Sequence, residues 1–200
     1  FFPSKPLGCY GDGGACFTND DFLAKSIRQI SSHGQKSRYT HIKLGLNGRL
    51  DTIQAAVLLA KLNIFDKEVS LRETIGKRYT DKLNKGGFFN TPFIDKKNTS
   101  VYAQYTIQIE NRDKIIDFLN GRGIPTSIHY PSLIPDQVAL NTNRKFLDKF
   151  FNRQLFKSHK LGNARNLVTK VLSLPMHPLL SNHDQDLIVN SLIEARKEIN

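Results

Sequence analysis

The sequence predicts an α/β fold on three observations. An alternating apolar run at 101–109 reads as a half-exposed strand, a helical pattern at 112–120 ends in Gly121-Arg122-Gly123, and a second strand-like run follows at 124–128. A long helical pattern precedes this β-α-β order and another closes the chain. With 200 residues, 39% of them hydrophobic, the length suffices for one domain, or for one domain plus part of a second, with an ordinary core.

The elements follow in order. Phe1-Phe2-Pro3-Ser4-Lys5 opens on apolar residues without an initiator Met and reads as a segment of a longer protein. Residues 6–14 form a glycine-rich loop, and Ala15-Cys16-Phe17-Thr18 reads as a short buried strand, so a β-loop-β passage is expected. Asn19-Asp20-Asp21 offers capping side chains ahead of Phe22, Leu23, Ile27 and Ile30, a helical spacing that stops near His33-Gly34. Residues 34–48 are polar and punctuated by glycine. The strongest helical pattern runs from Arg49 to Leu62, resumes from Asp66 to Leu83, and stops at Lys85-Gly86-Gly87. One long or kinked helix is expected there, with a domain boundary inside it that divides the chain into 1–64 and 65–200. Beyond the β-α-β unit come a basic, less regular stretch at 132–160, a helix near 163–171, the segment Leu172-Ser173-Leu174-Pro175-Met176-His177-Pro178, and a terminal helix from Asp184 to Ile199.

Bulk properties exclude several classes. The net charge of +11 is compatible with nucleic-acid binding, yet the basic residues are dispersed, without a block of five and without a nucleic-acid module. Such a surface equally suits a substrate bearing phosphates or carboxylates, and no nucleic-acid partner is expected. No apolar run approaches the roughly 18 residues that span a bilayer, and a signal-peptide pattern is missing, so no membrane association and a cytoplasmic location are expected. Cys9 and Cys16 lack metal-site spacing and read as reduced and structural. No metal site is expected.

Lys5 sits between a probable strand and a glycine-rich loop, where backbone can approach a bulky phosphate-bearing ligand. By itself it reads equally as a solvated lysine at a strand end. Gly8-x-x-Gly11-x-Gly13-Gly14 matches a dinucleotide fingerprint poorly, because no strand-loop-helix unit follows it. Taken whole, however, residues 1–14 resemble the cofactor-lysine segment of the DegT/DnrJ/StrS sugar aminotransferases. The resemblance extends in order through His33-Gly34-Gln35, Gly45-Leu46-Asn47-Gly48-Arg49-Leu50-Asp51-Thr52-Ile53-Gln54-Ala55-Ala56, Gly123-Ile124-Pro125-Thr126-Ser127-Ile128-His129-Tyr130-Pro131 and Leu172 to Pro178. Within the family the likeness is to enzymes that aminate the 3-keto position of a UDP-N-acetylglucosaminuronic acid.

The resemblance implies the C-terminal half of an aspartate-aminotransferase-like fold dependent on pyridoxal 5'-phosphate. Residues 1–64 would be the end of the large cofactor-binding domain, and 65–200 the small α/β domain. Lys5 would hold the cofactor covalently and, once freed, shuttle a proton. Asn47 would reach the cofactor phosphate of a neighbouring subunit in a homodimer, although a glycine-flanked turn explains an Asn there too. Arg49, His129 and Tyr130 would face the sugar nucleotide, Arg49 through its planar fork. The residues themselves leave His129-Tyr130-Pro131 open to being a strand-end packing cluster, and His177, between prolines, reads as structural. The half of the family fold not present would bring the aromatic residue over the pyridine ring, the acidic partner of its nitrogen and the phosphate-gripping loop, so this half by itself would catalyse poorly. The implied reaction passes an amino group from glutamate to a UDP-linked keto-sugar for surface-polysaccharide or O-antigen synthesis. C4 amination and an inactive or regulatory paralogue remain alternatives, while the presence of Lys5 disfavours dehydration.

Overall fold

A computed structural model describes residues 1–88, 90–139 and 161–199. The described elements are α1 (Asp21–Ser31), β1 (Gln35–Ser37), β2 (Thr40–His41), α2 (Thr52–Lys85), β3 (Tyr105–Gln108), α3 (Arg112–Gly121), a 3-10 turn (Ile134–Asp136), α4 (Gly162–Val168), β4 (Val171–Leu174) and α5 (Asn182–Ile199). The chain divides into two units, Phe1–Glu68 and Val69–Asn200, a division that falls inside α2.

In the first unit, Asp20 caps α1 as its sequence suggests. Its Oδ1 accepts from the N–H groups of Phe22 at 2.8 Å and Leu23 at 3.0 Å, satisfying two donors that the first helical turn leaves unpaired. The strand expected at 15–18 does not form. That segment is exposed, with Phe17 93% accessible, because none of the described residues offers it a partner and an unpaired strand leaves its ladder groups unmet. The polar stretch after α1 instead holds a small antiparallel hairpin, β1 with β2, in the register Gln35↔His41 and Ser37↔Thr40.

Helix α2 runs unbroken for 34 residues, joining the two helical patterns separated at 63–65. Asn63-Ile64-Phe65 contains neither Gly nor Pro, so nothing there interrupts the backbone ladder. The helix closes as the Lys85-Gly86-Gly87 stop suggests, with Phe88 N–H donating to Leu83 O at 2.9 Å and Gly87 N–H to Asn84 O at 3.0 Å. Helix α3 closes the same way on Leu119 and Asn120.

In the second unit β4 pairs antiparallel with β3, from Tyr105↔Leu174 to Gln108↔Val171. On its other side Ser173 exchanges both backbone hydrogen bonds with Ser127. The path from β3 through α3 to Ser127 is thus a split β-α-β with β4 inserted. Both expected strands are shorter than their apolar runs: the first is confined to 105–108, and the second reduces to the Ser127 bridge. Pro125 has no N–H to donate, which limits pairing there. Helix α4 likewise ends at Val168 rather than 171, because Val171 already belongs to β4. The irregular stretch expected at 132–160 contains the 3-10 turn and, from 140 on, lies outside the described residues.

The core of this unit gathers Ile75, Tyr79 and Leu83 of α2, Tyr105 and Ile107 of β3, Ile115 and Leu119 of α3, Leu172 and Leu174 of β4, and Ile188, Leu192 and Ala195 of α5. Each fully buried aliphatic side chain contributes about 1.5–3 kcal/mol. Two polar side chains of the core are matched: Gln185 donates to Ile75 O and accepts from Arg78 Nη1, both at 2.8 Å, and Tyr79 donates to Pro175 O at 3.0 Å. No described helix is long and apolar enough to cross a membrane.

Candidate functional site

The first unit displays Lys5 on a tightly folded loop. Lys5 N–H donates to Phe2 O at 2.9 Å and Cys9 N–H to Phe1 O at 2.8 Å, which folds residues 1–9 back on themselves. Gly8 is needed for this, since a Cβ there would stand 2.5 Å from Pro3 O and 2.8 Å from Phe2 O. The buried Cys9 thiol lies 3.0 Å from both Phe1 O and Gly11 O and can donate to either. Cys16 is exposed, so the structural role expected of both cysteines is seen at Cys9. The start of α2 clamps the loop from outside. Gln54 Oε1 accepts from Tyr10 N–H at 2.7 Å, and Lys61 donates to Gly8 O while its ammonium lies 5.3 Å from the Tyr10 ring centre. Lys5 itself is exposed, and its ammonium has no hydrogen-bond partner among the described residues. A free primary amine on a braced loop is what covalent attachment of a carbonyl-bearing cofactor requires.

Asn47 and Arg49 lie in the same unit and meet. Arg49 Nε donates to Asn47 Oδ1 at 3.0 Å, which leaves the Asn47 amide N–H₂ and the two terminal Arg49 nitrogens as donors without partners among the described residues. The segment carrying them is pinned to the end of α1 by backbone bonds, Leu46 N–H to Ile30 O and Gly48 N–H to Ser31 O, both 2.9 Å. Such a pair can hold anionic oxygen, the amide as a neutral donor and the guanidinium as a fork. No hydrogen bond joins either to Lys5.

The other two candidates occupy the second unit. His129 and Tyr130 pack edge to face with ring centres 5.5 Å apart. His129 lines a cavity of about 240 Å³ together with Gln104, Thr126, Ser127, Ser173 and Met176. Its Nδ1 lies 2.9 Å from Ser173 Oγ, which is 2.8 Å from Thr106 Oγ1. Tyr130 is 67% exposed. His177 is exposed. Sequence reasoning did not single out Gln54, Lys61, Ser173 or Thr106. Gln54 and Ser173 fall inside quoted motifs, but a hydroxyl or amide pairing across many residues leaves no local signal. Among the described residues no cluster of His, Cys, Asp and Glu could hold a metal ion.

Fold and site together define a two-unit α/β chain whose first unit presents a lysine on a clamped glycine-rich loop. The model of the DegT/DnrJ/EryC1/StrS aminotransferase family matches residues 1–193, and the chain belongs to that family. It is 47% identical to UDP-2-acetamido-2-deoxy-3-oxo-D-glucuronate aminotransferase of Pseudomonas aeruginosa, over 96% of this chain and 49% of the relative. Among solved structures it is similar to a DegT/DnrJ/EryC1/StrS aminotransferase from Brucella abortus (TM-score 0.84, 41% identity, 96% of this chain and 48% of that one). It is also similar to NtdA from Bacillus subtilis with bound cofactor PMP (TM-score 0.83, 25% identity, 98% of this chain and 44% of that one). The chain spans about half the length of the curated relatives it matches. The expected fold therefore stands: the chain has the fold of one half of these pyridoxal-phosphate-dependent aminotransferases.

Proposed function

We propose that the chain is the C-terminal half of a cytoplasmic, homodimeric aminotransferase that uses pyridoxal 5'-phosphate. It passes an amino group from glutamate to a UDP-linked 3-keto-N-acetylhexosaminuronate, and the product feeds surface-polysaccharide or O-antigen synthesis. Residues 1–64 are the end of the cofactor domain and 65–200 the small domain. The observation that carries the reading is Lys5, an exposed amine without a hydrogen-bond partner among the described residues, on a loop braced by Gln54 and Lys61. The P. aeruginosa relative supports the sugar.

The cofactor, when bound, supplies the electron sink that stabilises charge on the substrate carbon. Lys5 anchors it through Nζ and, once released, moves the proton off that carbon. Asn47 donates its free amide N–H to a phosphate oxygen in the neighbouring subunit's site, and Arg49 spans the sugar carboxylate. His129 and Tyr130 hold the sugar. An acidic partner for the cofactor nitrogen comes from polypeptide equivalent to the other half of the family fold.

Borohydride reduction of the full-length, cofactor-loaded protein tests this: the label should fall on Lys5 and vanish in Lys5→Ala. Lys5→Arg should fail equally, since a guanidinium stays protonated. Label on a different lysine would overturn the assignment.

A further inference from the structure

In the second unit three polar atoms stand in line across the sheet: Thr106 Oγ1 on β3, Ser173 Oγ on β4, and His129 Nδ1 just after the Ser127 bridge. The separations are 2.8 Å and 2.9 Å. Ser173 is 4% exposed and its backbone is paired on both sides, to Thr106 and to Ser127. Its hydroxyl is therefore fixed in place at the wall of the cavity that His129 lines. His129 Nε2 has no partner among the described residues.

We propose that Ser173, backed by Thr106, is a positioning residue that sets which edge of His129 meets the substrate. This rests on the reading of His129 as a sugar-binding residue. A serine hydroxyl has one proton to give, and so has threonine. If Thr106 donates to Ser173 and Ser173 donates to Nδ1, the neutral ring carries its proton on Nε2 and offers an N–H to the ligand. If the chain of donors runs the other way, Nε2 is a bare lone pair, which repels a carboxylate or phosphate oxygen. An anionic ligand therefore selects the first polarity, and Ser173 makes it available without charging the ring. The same contact restrains the ring plane, since Nδ1 cannot leave Ser173 without breaking a partly buried hydrogen bond. Ser173 touches no substrate in this scheme and acts through His129.

The test uses the full-length protein with the acidic UDP-keto-sugar. Ser173→Ala keeps both backbone pairings and should lower kcat/KM about tenfold, the worth of one well-placed hydrogen bond. The loss should appear in KM, with the glutamate half-reaction unchanged. Ser173→Thr, which retains the hydroxyl, should recover most of it, and Thr106→Val should show a smaller loss. In a His129→Ala background Ser173→Ala should cost nothing further, because interacting residues are non-additive. Independently of turnover, long-range ¹H–¹⁵N spectra of the full-length protein should show Nδ1 shifting in Ser173→Ala without any sugar, and the His129 proton on Nε2 once the acidic sugar nucleotide is bound. Additive losses in the double variant, or an unmoved Nδ1 signal, would overturn the positioning role while leaving the sugar reading intact. An inert His129→Ala would overturn the sugar reading itself, and this role with it.

Discussion

Replacing Gly8 by alanine should loosen the cofactor from a residue three positions away. A Cβ at Gly8 would lie 2.5 Å from Pro3 O and 2.8 Å from Phe2 O, against an unstrained separation of about 3.5 Å. Roughly 1 Å must open, and both obstacles are backbone, so no side chain can rotate aside. Phe2 O is also the acceptor for Lys5 N–H at 2.9 Å; pushing it away drags the lysine or breaks the turn. Overpacking of this kind costs about 1–3 kcal/mol, and a shift near 1 Å at a reacting group is worth up to about a hundredfold. The assay is cofactor retained by the full-length protein after gel filtration, read from visible absorbance and from borohydride label at Lys5. Gly14→Ala is the control, because a Cβ there meets nothing within 4 Å. We expect at least a tenfold loss of affinity for Gly8→Ala and none for the control. Full retention by Gly8→Ala would refute the claim that this turn places Lys5.

Mixed dimers of Lys5→Ala and Asn47→Ala subunits should regain activity that neither homodimer has, since one of their two sites is intact; no recovery in mixed dimers refutes the shared site. Arg49→Ala should lower kcat/KM on the uronate sugar by about 1.5–3 kcal/mol, roughly 10- to 150-fold, and by little on the neutral 6-hydroxymethyl analogue; equal losses would assign Arg49 to phosphate or structure. Burial pushes the Tyr105 phenol up to about 12, whereas the unfolded chain ionises near 10. Stability should therefore be full below about pH 10 and fall as pH rises to about 12, because the unfolded state loses its proton first. Urea midpoints across that range should show the drop, and Tyr105→Phe should flatten part of it, with Tyr79, also raised by burial, contributing the rest; an unchanged slope would remove Tyr105 from the account.

Local signals were legible where local chemistry decides. Asp20 caps α1 because a short acceptor precedes an apolar period, and α2 ends at Lys85 because its C-terminal carbonyls take the hydrogen bonds that the following glycine pair permits. Strand limits were not legible. Whether Ala15–Thr18 or Ile124–Ile128 forms a ladder depends on a partner far along the chain, and β4 lies more than forty residues beyond Ser127. The site divides the same way. Lys5, Asn47 and Arg49 stand in segments whose spacing carries a family pattern, and the hydrogen bond between Asn47 and Arg49 follows from their being two residues apart. The line from Thr106 through Ser173 to His129 joins three segments in which each residue is individually ordinary, so it becomes visible when the register of β3 on β4 is known.

The two units rest on different physical footings, and this bears on how the site works. The buried cluster from Ile75 to Ala195 lies wholly in the second unit, so the geometry around His129 and Ser173 is set by a core that this chain contains. In the first unit α1 buries none of its residues, and Phe17, Phe22, Leu44, Ile53 and Leu59 are between 66% and 98% exposed. Each such side chain leaves about 1.5–3 kcal/mol of burial unrealised, far more than Asp20's cap supplies. What holds Lys5 here is instead polar and local: the turn at Phe2, the Gln54 and Lys61 contacts, the Cys9 thiol. Under the proposed reading, covering those apolar side chains and seating the cofactor are one process, because the surfaces that complete the first unit also carry the remaining cofactor contacts. Affinity for the cofactor then reports assembly of the first unit, whereas under the same reading sugar discrimination draws on both, on Arg49 in the first and on the His129 ring beside Ser173 in the second.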